Sequence, residues 1–149
     1  MSRGCPAQRG NPRIRRLTGF LDTSVVVRYL TGDPSEQATT AATIIENTER
    51  LYLTGVAIAE ASYVLRSFYS VSRDVVLGGL MDLVRRENII VHGIERGLVV
   101  RAFGMCRGSN LVSVADAPIW TRARSSGNPV VFSLDRRFPN HGLDVLTEP

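Results

Sequence analysis

The sequence predicts a single α/β domain with a central, mostly parallel β-sheet flanked by helices on both faces. Three observations predict it. Short apolar runs of strand length alternate with segments of helical periodicity along the chain, the pattern of strand–helix–strand units. The chain has 149 residues, 44% of them hydrophobic, enough for one domain with a real core. Four acidic residues, Asp22, Glu60, Asp116 and Asp135, each lie at or beside the end of an apolar run, and the carboxyl ends of parallel strands are where open α/β sheets place ligands.

Residues 1–16 hold Arg3, Arg9, Arg13, Arg15 and Arg16, no acid and almost no large apolar residue. They read as a disordered basic extension to a domain spanning 17–149. Leu17–Leu21 is the first strand and Ser24–Leu30 a short helix. In Asp33-Pro34-Ser35-Glu36, Asp33 suits an N-cap, Pro34 the first helical position and Glu36 the third, so a helix is expected to about Asn47. A strand over Leu51–Thr54 leads into a helix from Val56 to Ser70. Ser72 caps a helix through Arg86, with Val75, Val76, Leu80, Leu83 and Val84 on one face. Its Gly78-Gly79 pair, costing about 1 kcal/mol each against Ala, suggests close approach of a neighbouring helix or a partner. Ile89–His92 is a strand, Glu95–Arg107 a helix, and Asp116–Ser125 a helix ended by Gly127. Val130–Leu134 and Leu143–Leu146 complete the strands.

Composition narrows the function. No apolar run approaches the ~20 residues of a membrane span, and residues 1–16 lack the apolar segment of a secretory signal. With two cysteines, Cys5 and Cys106, a reduced cytoplasmic protein is expected. All 18 basic residues are Arg. The formal charge of +4 comes from the extension, because residues beyond 16 carry 13 Arg against 14 acids. The missing Lys argues against a phosphoacceptor receiver domain, and no glycine–lysine phosphate loop is present.

Each acid has an ordinary explanation. Asp22 can N-cap the following helix, Asp116 can form a capping box with Ser113, and Asp135 can cap a turn or join a salt bridge. Glu60, among Val, Ile and Ala, is the hardest to explain this way, since a carboxylate in apolar surroundings is costly unless paired. Four carboxylates in one crevice repel by roughly 3 kcal/mol per pair at ~5 Å and an effective dielectric of ~20. Such a set takes up protons or a hard divalent cation, Mg²⁺ or Mn²⁺. His92 and His141 have no metal-ligand spacing and read as surface residues.

The segments Leu21-Asp22-Thr23-Ser24, Ala59-Glu60, Ala115-Asp116-Ala117 and Ser133-Leu134-Asp135-Arg136-Arg137-Phe138, in this order and near this spacing, resemble the PIN domain over about residues 17–147. The resemblance is closest to VapC-type toxins of VapBC toxin–antitoxin pairs. It implies a Mg²⁺- or Mn²⁺-dependent endoribonuclease that leaves a 5′-phosphate and a 3′-hydroxyl. Asp22, Glu60 and Asp116 would hold the metal, Asp135 would be the fourth, more variable acid, and Thr23, Ser24 and Ser133 would line the pocket. It also implies an RNA substrate (tRNA, rRNA or mRNA), a VapB-type antitoxin and a homodimer. Ser133 stands where Thr is commoner in those toxins, and Pro118 where an aliphatic helix former is usual. Arg136, Arg137 and Arg122 are the candidate phosphate contacts, with Arg124 as a further helper. Trp120 is read as a core or interface residue rather than a base-stacking one. The rival reading is a non-catalytic RNA- or protein-binding module on the same scaffold.

Overall fold

A computed structural model describes residues 17–149; the expected N-terminal extension falls outside them. The elements run β1 (Thr18–Phe20), α1 (Thr23–Thr31), α2 (Ser35–Asn47), β2 (Arg50–Leu53), α3 (Gly55–Ser67), α4 (Arg73–Arg85), β3 (Ile89–Val91), α5 (Arg96–Gly108), α6 (Asp116–Ser125), β4 (Val130–Phe132) and β5 (Asp144–Leu146). Helices and strands alternate as the sequence predicts, and every strand pair is parallel.

The strands form two ladders. One has the order β1-β2-β3, the other pairs β4 with β5. Register in the first ladder sets Phe20 opposite Tyr52 and Tyr52 opposite Ile90. Side chains alternate across a strand, so Leu51, Leu53, Ile89 and Val91 share one face, and all four are buried. The other face is more open: Tyr52 and Ile90 are half-buried, Phe20 and His92 exposed.

Local chemistry explains most element boundaries. Asp22 N-caps α1, its Oδ2 accepting from the Ser24 amide, and Gly32 ends that helix in the left-handed conformation at φ 71°. Thr54 caps α3 by accepting from the Ala57 amide. The second helix departs from expectation. Pro34, not Asp33, occupies the N-cap, and its carbonyl accepts from the Ala38 amide. The Asp33 carbonyl is instead tied back to Arg28 and to the Thr31 hydroxyl, so the helix starts one residue later. On α4, Val76, Leu80, Leu83 and Val84 are buried with Leu77 and Met81, but Val75 faces solvent at 63% exposure. The α4 stripe therefore lies one position round from the one expected.

The two α4 glycines answer the packing question. A Cβ on Gly79 would meet Leu30 of α1 at 2.9 Å, and one on Gly78 would meet Arg107 at 3.4 Å. Helix crowding against α1 accounts for Gly79, whereas Gly78 meets only the flexible end of Arg107 at an ordinary contact distance. A similar approach joins α3 to α6, where a Cβ on Gly55 would lie 3.0 Å from Pro118 Cβ. Pro118 fits α6 because the helix begins at Asp116, which leaves it in the first turn. Trp120 is buried in the core at 1% exposure, and its indole donates to the His141 carbonyl at 3.2 Å. Cys106 is buried and free, its thiol pushed up chiefly by that burial. No described helix is long and apolar enough to cross a membrane.

Candidate functional site

The four acids form two groups. The first joins the end of β1 to the second turn of α3. Thr23 Oγ1 donates to Glu60 Oε2 at 2.6 Å across 37 residues of sequence. Beside it, Asp22 Oδ2 accepts from the Ser24 amide at 3.0 Å and the Ser24 hydroxyl at 2.5 Å. The Ser24 hydroxyl, then its amide, hold the Asp22 carboxyl below the usual range, so it stays ionised. Glu60 is exposed rather than embedded in apolar surroundings. The apolar neighbours that made it look costly in sequence, Ile58 and Ala61, point to the core from the opposite side of the helix.

The second group lies where α6 meets the end of β4. Asp116 Oδ2 accepts from the Ser113 amide at 3.3 Å, half of the anticipated capping box. The Ser113 hydroxyl turns instead to the Ala115 amide. Burial raises the Asp116 carboxyl above its ordinary value, and the charge of Asp135 raises it further. Asp135 itself is held low by Arg137. Its Oδ1 accepts from the Arg137 amide at 2.9 Å and Nε at 3.1 Å, and its Oδ2 from Nη2 at 3.3 Å. The turn cap and the salt bridge are thus both real, and Arg137 faces a carboxylate. Ser133 Oγ accepts from the Asp135 amide at 3.1 Å and so sets this turn.

The groups come near one another where α3 passes the 113–115 segment. A depression of about 320 Å³ there is lined by Ala59 and Ala115, the residues preceding Glu60 and Asp116. Among the described residues, however, no three acidic, His or Cys side chains converge closely enough to hold a metal together. The expectation that parallel neighbouring strands gather all four acids meets a physical obstacle. The strand before Asp135 is hydrogen-bonded to β5, not to the sheet that ends at Asp22.

The donor chemistry suits a hard divalent cation. In the first group and at Asp116, the hydrogen bonds described fall on one oxygen of each carboxylate: Asp22 Oδ2, Glu60 Oε2 and Asp116 Oδ2. Orientation through one oxygen leaves the other as a donor, the way supporting residues set metal ligands. Asp135, engaged by Arg137 on both oxygens, fits least well.

Arginines brace this region. The Arg73 guanidinium at the start of α4 donates to the carbonyls of Cys106 at 2.7 Å, Asn110 at 3.0 Å, Ser109 at 3.1 Å and Val112. It fastens the loop that delivers Ser113 and Asp116. Arg122 donates to the Gly93 carbonyl at 3.0 Å, linking α6 to the turn after β3, and Arg124 donates to the Gly142 carbonyl at 2.8 Å. Arg136 is exposed beside Asp135.

Sequence reasoning missed a cluster of rings. Phe20, Tyr52 and His92 meet on the open face of the first sheet, Phe20 with its centroid 5.2 Å from each of the other two and Tyr52 5.8 Å from His92. The only signal was that each sits beside an inward apolar residue on its own strand; register assembles them.

No curated protein matches the chain. The PIN domain family matches residues 19–142, a span that contains both acidic groups and, among the described elements, everything from α1 to β4. With parallel ladders and six helices among the described residues, and a family match over most of its length, the chain belongs to the PIN-domain family, whose fold is of the nuclease type.

Proposed function

We propose that this protein is a metal-dependent endoribonuclease, a toxin of the VapC type restrained by a VapB-type antitoxin. The observation that carries the reading is the Asp22–Thr23–Ser24–Glu60 group, two acids from distant segments fixed by two hydroxyls at the end of β1. PIN domains generally act on RNA with divalent metals, and this chain belongs to that family.

Asp22, Glu60 and Asp116 are the residues that would hold Mg²⁺ or Mn²⁺, with Asp135 as the fourth acid. Bound there, such an ion supplies a water of lowered pKa and neutralises charge on the phosphoryl oxygens. The chain's own part is orientation. Ser24 keeps Asp22 anionic, Thr23 fixes the rotamer of Glu60, and Arg73 holds the loop from which Asp116 projects. Asp116, half-buried and facing Asp135, binds a proton more readily than a free aspartate does. We further propose a cytoplasmic homodimer.

The rival reading is a binding module without catalysis. The Asp135–Arg137 fork favours it, since it occupies one acid with an internal cation. Purified protein incubated with labelled total RNA in Mg²⁺, Mn²⁺ or EDTA separates the two. Discrete fragments that require metal and vanish in an identically prepared Asp22→Asn protein support the nuclease. RNA binding without any cleavage supports the module.

A further inference from the structure

We propose that the open face of the first sheet is a stacking platform for an unpaired base of an RNA strand. The inference rests on the RNA-directed reading above and adds where the strand lies. Phe20 and Tyr52 come from adjacent strands and His92 directly follows β3, and their rings meet in tilted and edge-on arrangements 5.2–5.8 Å apart. Phe20 is 62% exposed. A packed core gains nothing from a ring held at that exposure, whereas base–aromatic stacking is the usual basis of single-strand binding.

A cleft of about 720 Å³ opens from His92 and runs between α3 and α6, with Val56, Ile119, Arg122 and Asn128 among its walls. Val56 lies one helical turn before Glu60, and Ile119 one turn after Asp116. The cleft's walls therefore include residues one turn from two of the acids, and of the three rings His92 lines it. A strand with its scissile phosphate at the acids would lay a neighbouring nucleotide along this path. Charge fits the occupant. The cleft's lining residues include Arg122 and His92 and no carboxylate, and Arg50 shares the sheet face with Tyr52, two residues away. Arg122 gives one N–H to the Gly93 carbonyl and keeps others for a phosphate or a base edge. An acidic partner would suit the arginines alone; a strand with both phosphates and π-faces suits the whole surface.

The test uses full-length protein carrying Asp22→Asn, so that RNA is bound and not cut. Binding of a short fluorescent single-stranded RNA and of the matching duplex is read by anisotropy. Phe20→Leu, which keeps apolar bulk and removes the π-face, is expected to weaken single-strand binding by roughly five- to 150-fold. Tyr52→Phe is expected to bind as the parent does, and duplex binding to stay unchanged. Single-strand binding unaffected by Phe20→Leu overturns the proposal. So does a changed sedimentation mass with unchanged RNA binding, which would give this face to a protein contact.

A second measurement needs no ring substitution. RNA containing 4-thiouridine is photo-crosslinked to the Asp22→Asn protein, and adducts are expected on peptides bearing Phe20, Tyr52 or His92. Adducts confined to other peptides overturn the platform. The two readings fail separately. If wild type never cuts RNA but binding depends on Phe20, the nuclease falls and the platform stands. If cleavage depends on Asp22 while Phe20→Leu leaves KM and binding alone, the platform falls and the nuclease stands.

Discussion

The two acidic groups of this protein are built on opposite principles. At the end of β1, hydroxyls hold the acids: Ser24 on Asp22 and Thr23 on Glu60. Neutral donors orient a carboxylate while leaving its charge available to a cation. At the end of β4, the Arg137 guanidinium pairs with Asp135, and Asp116 is left half-buried with a raised pKa. On the proposed reading, the first group is the one its own chain orients for a metal. In the second, a metal would have to compete with Arg137 for Asp135. The contrast teaches that carboxylates at equivalent strand ends need not be equivalent ligands.

Removing Asp22 should break the first group outright. Asp22→Asn is expected to lower metal-dependent RNA cleavage by about 10²- to 10³-fold. Its thermal midpoint should barely move, because Asn caps a helix as well as Asp does. A cleavage rate near wild type would end the claim that this group is the centre.

Thr23→Val keeps the shape and removes the hydroxyl that orients Glu60. Loss of such supporting contacts typically costs 10–100-fold in metal affinity or activity. The expected signature is a higher Mg²⁺ or Mn²⁺ concentration for half-maximal cleavage. An unshifted metal curve would show that Glu60 needs no orientation.

The groups should also differ in stability. The folded state raises the pKa of Asp116 mainly through burial, so the folded chain binds this proton more readily than the unfolded one. Ionised Asp116 therefore opposes folding above its raised pKa, and the penalty disappears as pH falls below the ordinary carboxylate value. In EDTA, Asp116→Asn should raise the thermal midpoint modestly at neutral pH, and the gain should fade on acidification. Asp22 and Asp135 have the opposite sign. Their lowered pKa values add stability above the ordinary carboxylate value, and it is lost as pH falls through the lowered one.

The smallest effect is expected at the solvent-exposed fork. Arg137→Gln should leave the thermal midpoint unchanged, since exposed ion pairs contribute little. It should nonetheless sharpen the metal curve by releasing Asp135. If the curve stays the same, Asp135 lies outside the centre.

Much of the fold was legible because local chemistry and tertiary packing agree here. Asp22 as a cap, Ser72 before α4, Gly127 after α6 and the strand-length apolar runs each mark a boundary that the structure keeps. What was not legible depends on partners distant in sequence. Asp33 looked like a cap until Arg28 and Thr31 claimed its carbonyl. Glu60 looked buried because its sequence neighbours are, yet helical geometry turns it outward. The pairing of Glu60 with Thr23 spans 37 residues, and the ring cluster exists only through strand register. The division of five strands into two ladders leaves no trace in any single segment.

The direction in which the arginines point has a consequence for binding in salt. Arg28 is committed to Gln37, the Asp33 carbonyl and Tyr69, and Arg73 to four carbonyls. Guanidinium groups turned inward displace no counterions from a nucleic acid. Each phosphate contact to a single strand steepens the fall of log affinity with log salt by about 0.7. The slope should therefore count only the outward arginines and be shallower than the protein's arginine-rich composition suggests.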